Sequence, residues 1–383
     1  MIARFCAKGP ARAIAQALLA EGRAGIDYAA VVPNPTASLE HSRSVTATED
    51  SETVAGISFP LGIGGRRFLL SDAADERLNE KRAEGNSRLL DSALDLRELI
   101  ARAVADAERS AVLGKQFGVL EELGKAIAGL KAGSESSAHD LLRHSLELEV
   151  LGERLKLQKA RAASSKARLA ALVDGDVAVS SLSLASLASD PPPSKKPVHP
   201  ALARVDAFIR ASEIETDAAH RRWVPDLEIF FGYRQVTALE ADTGHGFALR
   251  VAMPITFFDH GQGEASIFEA RSSAGRAERE AIIAITRAEE RAADDAIATL
   301  DETPTENDDT PKRTEKLLEQ AKDLYLAGEG SMVELAAASA LAESAALARI
   351  DAEEARALAR IAKMRAVGSL FDPALDRVCR VTQ

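Results

Sequence analysis

The stretch from Trp223 to Gly263, WVPDLEIFFGYRQVTALEADTGHGFALRVAMPITFFDHGQG, decides how the chain is built. Leu227, Ile229, Phe231 and Tyr233 recur at every second position, and so do Phe247, Leu249, Val251 and Met253. Period two over such lengths predicts two strands, each with one apolar face. Between them EADTGHG reads as a polar turn, and Pro225 and Pro254 bound the pair, as proline is tolerated at strand ends. On both sides the sequence becomes helical and Ala-rich. A single long hairpin between long helices is marginal in isolation.

The same arrangement occurs earlier in the chain. Pro33 precedes Pro225 by 192 positions, Pro60 precedes Pro254 by 194, and Ala132 precedes Ala327 by 195. Ala37, Leu39, His41, Arg43 and Val45 alternate with Thr36, Ser38, Glu40, Ser42 and Ser44. Ala55, Ile57, Phe59 and Leu61 alternate with Val54, Gly56 and Ser58. Lys131-Ala132-Gly133-Ser134 and Leu326-Ala327-Gly328-Glu329 both open a helix. The chain therefore reads as mainly α with a small β part, an internal duplication of helix, β-hairpin, long helix, turn and helix. Residues 1–173 form the first repeat, with its hairpin at about 34–61. A Ser/Pro-rich linker spans 174–199, and the second repeat spans 200–368 with its hairpin at about 225–256. Residues 369–383 read as a loose C-terminal tail.

Composition narrows the function. The 383 residues carry a net charge of −11, which argues against nucleic acid as the main partner. Of sixteen aromatic residues, seven (Trp223, Phe230, Phe231, Tyr233, Phe247, Phe257, Phe258) lie in or beside the second hairpin. Cys6 and Cys379 allow one disulfide at most and form no metal pattern. No run of eighteen apolar residues predicts a transmembrane helix, and no export signal is visible. GIGGRR at 62–67 follows a strand and opens a helix, but its spacing does not match a dinucleotide loop, so it reads as a corner. The seven histidines form no metal-site spacing and read as solvated. No Ser/His/Asp or Cys/His constellation stands out, so no enzyme activity and no cofactor are expected.

The helices are long. Residues 66–130 keep three- and four-residue apolar spacings, with Gly114, Gly118 and Gly124 as candidate interruptions. In the next helix Leu141, Leu148 and Leu155 are seven apart, with Leu151 between, a coiled-coil-like stripe. Two hairpins supply four strands, and four strands cannot close a barrel. Bare strand edges are a liability in water and forbidden in lipid. Sixty helical residues reach about 90 Å, too far to fold back over a hairpin. Pooling of strands by several chains is the favoured expectation, and a soluble coiled-coil scaffold is the alternative.

At this point the residues resemble a family. PNPTASLE with GISFPLGIGGRR, WVPDLEIFFGYR with GFALRVAMPITFFDHGQGE, and the turns KAGSESSAHDLLRHSLELEVL and LAGEGSMVELAAASALAES resemble the hairpins and helix tips of TolC-family outer-membrane efflux proteins, most of all the heavy-metal branch. The resemblance covers nearly the whole chain. It implies a homotrimer with a shared twelve-stranded outer-membrane β-barrel, a periplasmic α-helical tunnel, and docking to a periplasmic adaptor and an inner-membrane pump of RND type. It implies passage of small toxic solutes or metal ions, with no chemistry.

Four residue sets follow as expectations. Trp223, Phe257 and Phe258 flank the strands where an aromatic girdle belongs. Ala132, Gly133, Ser134 and Asp140, with Ala327, Gly328 and Glu334, form the two helix-turn tips and the adaptor contact. Gly permits the left-handed conformation there, and Ser134, Ser137 or Ser331 is placed to cap the helix that follows. Glu319 and Asp323, four apart on one helical face, are candidates for an acidic aperture, with Lys312, Arg313 and Lys322 as nearby cations. Glu40, His41 and Arg43 are polar for a lipid-facing strand, so Arg43 is expected near an interface.

Overall fold

A computed structural model describes residues 1–44, 51–130, 135–173, 178–179, 182–188, 198–237, 243–302 and 309–381. In chain order the elements are α1 (Ile2–Lys8), α2 (Pro10–Ala30), β1 (Thr36–Arg43), β2 (Ser51–Leu61), α3 (Arg66–Leu130), α4 (Glu135–Val173), α5 (Leu184–Ala188), α6 (Pro200–His220), β3 (Leu227–Thr237), β4 (Gly244–Ala252), α7 (Gln262–Asp301), α8 (Thr310–Leu326), α9 (Met332–Val367) and α10 (Pro373–Val378). Both expected hairpins and all the long helices form. Gly114, Gly118 and Gly124 do not interrupt α3, which runs through 65 residues.

The chain divides into two compact units. One comprises Ala15–Gly85 and Pro200–Ile283, the other Met1–Ile14, Asn86–His199 and Ala284–Gln383. Both sequence repeats contribute to each unit.

The first unit holds one antiparallel sheet of order β1-β2-β3-β4, in which the two hairpins join through β2 and β3. Below the sheet, α2 lies close to α3: a Cβ added to Gly85 would sit 3.1 Å from the Ala15 Cβ. Each hairpin leads into its long helix through a left-handed glycine, Gly65 (φ 71°) before α3 and Gly261 (φ 93°) before α7. A Cβ at Gly261 would lie 2.1 Å from the Ala219 carbonyl oxygen, so only glycine fits. Glu264 accepts from both Arg66 (2.9 Å) and Arg222 (3.0 Å), tying the two corners together. The GIGGRR segment is thus a strand-to-helix corner.

The second unit is helical. Leu113, Leu120 and Leu123 of α3, Leu151 and Leu155 of α4, Leu318 and Tyr325 of α8, and Met332 and Leu335 of α9 form one buried cluster, with Leu141 and Leu148 against it. The seven-residue leucine stripe of α4 thus faces the seam. A second cluster joins Leu96, Ile100 and Val104 of α3 to Leu169, Ile350 and Ala357, and takes in Leu184 from within the linker.

The C-terminal tail departs from expectation. Residues 369–381 are packed rather than loose: Leu370, Phe371 and Cys379 are buried with Leu90, Leu94 and Ile361. Gly368 ends α9 in the left-handed conformation (φ 75°), and Asp372 caps α10 by accepting from the Ala374 and Leu375 N–H groups. Asp376 accepts from the Leu370 N–H at 2.8 Å. Cys6 and Cys379 form a disulfide that ties α1 to this tail.

Candidate functional site

The sheet has two faces of opposite chemistry. Pairing aligns Leu39, Ala55, Tyr233 and Phe247 in one row, Ala37, Ile57, Phe231 and Leu249 in the next, then Phe59, Ile229 and Val251, then Leu61 and Leu227. All of these point to one side. Phe247 (81%) and Leu249 (71%) are among its most exposed members. Phe231 and Phe247 stack across strands, with ring centroids 6.0 Å apart. Such a contiguous apolar face is far larger than scattered surface hydrophobics require. From Leu227 to Tyr233 of β3 it spans six residue steps, roughly 15 Å of height for a strand tilted by about 40°.

Beyond the apolar rows, His41, Thr53, Gln235 and His245 form a polar row on the same face. The His41 ring nitrogen and the Thr53 hydroxyl are 2.9 Å apart. Arg43 lies one step further along β1, so it caps the band rather than interrupting it. Glu40 points to the opposite face.

That opposite face is polar and concave. Glu52 pairs with Arg234 at 2.7 Å, and Glu40 on β1 approaches Arg250 on β4 at 3.5 Å. These two strands are the sheet's opposite edges. In a flat sheet the two Cα atoms would be about 20 Å apart, beyond the combined reach of the side chains, so the sheet curls around this face. Phe230 fills the concavity at 6% exposure, with the Arg250 guanidinium 5.3 Å from its ring centroid. Gly56 and Gly232 make room: a Cβ at either would lie within 2.6 Å of the Phe230 ring.

At the helical end of the sheet, the Thr256 hydroxyl donates to the Trp223 carbonyl at 3.1 Å, which brings the segment before Phe257 and Phe258 beside Trp223. All three aromatic side chains are exposed, Phe258 at 93%.

In the helical unit, α8 ends at Ala327 and Gly328 adopts φ 80°. Ser331 and Glu334 then form a reciprocal capping box, in which the Ser331 hydroxyl accepts from the Glu334 N–H and the Glu334 carboxylate accepts from the Ser331 N–H. Ala132, Gly133, Ser134 and Ser137 lie outside the described residues, or their side chains do. Helices α8 and α4 are joined near this end: the Tyr325 hydroxyl donates to Asp140 at 3.3 Å. Burial, reinforced by Asp140, holds the Tyr325 phenol above its usual range.

Glu319 and Asp323 are exposed on α8. Glu319 lines a groove of about 290 Å³ together with Lys322, Glu315, Gln116 and Lys115. Lys115 of α3 pairs with Glu315, and is the neighbouring cation that sequence reading missed, because it lies 200 residues away in the chain. Lys312 instead faces Asp309 at 3.4 Å. His144, expected to be solvated, is buried against Gly124, and among the described residues neither ring nitrogen has a hydrogen-bond partner. Among the described residues no group of three His, Cys, Asp or Glu side chains could hold a metal ion, and no helix is long and apolar enough to cross a membrane.

No family model and no curated protein matches the sequence. Solved structures do match. A membrane protein from Pseudomonas aeruginosa superposes with a TM-score of 0.74 at 16% identity, over 98% of this chain and 91% of that one. The outer-membrane channel OprN gives 0.73 at 16% identity, over 96% and 89%. CusC, described in terms of folding and transmembrane channel formation, gives 0.69 at 15% identity, over 96% and 91%. The chain has the fold of TolC-family outer-membrane channels.

Proposed function

We propose that this chain is one protomer of a trimeric outer-membrane channel, the exit duct of a tripartite efflux system. The observation that carries the reading is the two-faced sheet, whose aliphatic and aromatic face is contiguous and exposed while the charged residues Glu40, Glu52, Arg234 and Arg250 gather on the concave face. That pattern suits a wall between lipid and an aqueous lumen. Four strands with two free edges close only when several copies join, and three copies give twelve strands. A soluble coiled-coil scaffold accounts for the leucine seam of α4 but leaves the exposed row of Phe231, Phe247 and Leu249 without a partner.

In this reading Trp223, Phe257 and Phe258 sit at the periplasmic membrane boundary. The tip formed by Ala132, Gly133, Ser134, Asp140, Ala327, Gly328 and Glu334 receives a periplasmic adaptor, which couples the duct to an inner-membrane pump of RND type. Glu319 and Asp323, repeated by threefold symmetry, form an acidic aperture that favours cations, with Lys115 and Lys322 limiting their mutual repulsion. The cargo is a class of small toxic solutes or metal ions. The fold similarity is spread over several outer-membrane channels rather than concentrated on CusC.

Mass measurement by light scattering in detergent tests the assembly. Three protomers per particle are expected, and a folded monomer contradicts the proposal. For the aperture, Glu319→Gln combined with Asp323→Asn is expected to reduce cation preference in planar-bilayer recordings. Unchanged selectivity returns both residues to an ordinary solvated helix face.

A further inference from the structure

The approach of Glu40 to Arg250 carries more than the curl of the sheet. The register places Arg250 opposite Phe230, Phe230 opposite Ser58, and Ser58 opposite Thr36. A row drawn straight across the four strands thus begins at Thr36 and ends at Arg250. Yet the β1 residue that reaches Arg250 is Glu40, four positions further along the strand. The two long side chains meet across the concave face with an offset of four residues.

A closed barrel needs an offset of the same kind. Four strands spaced about 4.8 Å apart cover about 19 Å, and with strands tilted by about 35–45° the register advances by about four to six residues over that width. Side chains alternate between the faces, so a charged lumenal residue meets another lumenal residue only after an even number. Four and six are the even values in this range, and the Glu40–Arg250 contact selects four.

We infer that β4 of one protomer pairs antiparallel with β1 of the next copy of this chain, with Arg250 directly opposite Glu40 on the lumenal face. The inference rests on the shared-barrel reading and specifies its seam. The free edges are β1 and β4, so the order around the ring is β1-β2-β3-β4 followed by the next β1. Their directions alternate, which makes the joint antiparallel. The charges are opposite in sign, and cross-strand pairs of this kind stabilise a sheet. This register sets Ala252 opposite Ser38 and Ala248 opposite Ser42, small residues that leave space for the two long side chains. Pairing runs out where Pro254, which has no N–H, comes opposite Thr36. The ion pair within one protomer is therefore exchanged on assembly for an equivalent pair between protomers.

Cysteine cross-linking between differently tagged chains tests the seam. One chain carries Glu40→Cys and the other Arg250→Cys. The native cysteines are joined to each other, so the introduced thiols are the free ones. Co-expression followed by oxidation of the detergent-purified trimer is expected to give a covalent dimer carrying both tags, absent when either chain is expressed alone. Ser38→Cys or Ser42→Cys, paired with Arg250→Cys, is expected to cross-link several-fold less. Strongest cross-linking at 38 or 42 overturns the register. No cross-linking at any of the three positions in particles whose mass is three protomers overturns the seam while leaving the trimer intact. A monomeric mass overturns both. Charge reversal gives a check that needs no thiol: Glu40→Arg and Arg250→Glu are each expected to lower the melting temperature of the trimer, and the double variant to restore it. A double variant no better than the worse single one contradicts the pairing.

Discussion

Leu94 and Leu249 are the same residue placed under opposite rules. Leu94, on α3, is fully buried among Leu90, Ile361 and Met364, whereas Leu249, on β4, is largely exposed. In the helical unit apolar side chains turn inward and charges face out, the order water imposes. In the sheet Arg234, Arg250, Glu40 and Glu52 share the concave face with the buried Phe230, and the aliphatic and aromatic rows of the other face are exposed. In the proposed channel one chain meets two solvents, with Trp223, Phe257 and Phe258 and the corners at Gly65 and Gly261 placed at the boundary between them.

Substitutions can break this contrast. Leu94→Ala leaves a cavity in a close-packed core and is expected to cost about 4 kcal/mol, read as a lower thermal midpoint in detergent. Leu249→Arg follows at about 3 kcal/mol, together with loss of membrane insertion on fractionation. Were Leu249 facing water, an exposed Arg would be nearly neutral, so this variant separates the two rules. Ser331→Ala removes one half of the capping box at the tip and is expected to cost about 1 kcal/mol, with channel assembly retained.

The smallest effect concerns pH. Burial, then the neighbouring Glu353, raises the Glu108 carboxyl above its usual range. The native state therefore holds that proton more tightly than the unfolded chain does. The sign follows: stability falls as pH rises from the ordinary carboxylate range through the raised native value, and the penalty is constant above it. Glu108→Gln is expected to raise the thermal midpoint by about 1 °C at pH 8 and to converge with the parent under acid. A variant less stable than the parent at pH 8 would show that Arg109 and Arg349, which oppose the shift, dominate there.

Much of this was legible because period is a local property. Leu227, Ile229, Phe231 and Tyr233 announce a strand face without any knowledge of partners, and the Gly-Ser and Gly-Glu turns announce helix ends. What the pattern omits is which solvent a face meets, and which distant residues converge. Lys115 reaches Glu315 only once α3 and α8 share a seam. His144 is buried because Gly124 opposite has no side chain. The tail could have been read better: Asp372-Pro373 is a helix start, and Leu370-Phe371 an apolar pair in need of cover.

The central claim is that the exposed apolar face of the sheet meets lipid. Trp223 is the sole tryptophan, so a Trp223→Phe background admits one new tryptophan at a time. Placed at Leu249 or at the adjacent Ala248, it reports the two faces of β4 to lipids brominated on their acyl chains. The account predicts strong quenching at 249 and little at 248. Equal quenching at both positions, or stronger quenching at 248, would contradict it.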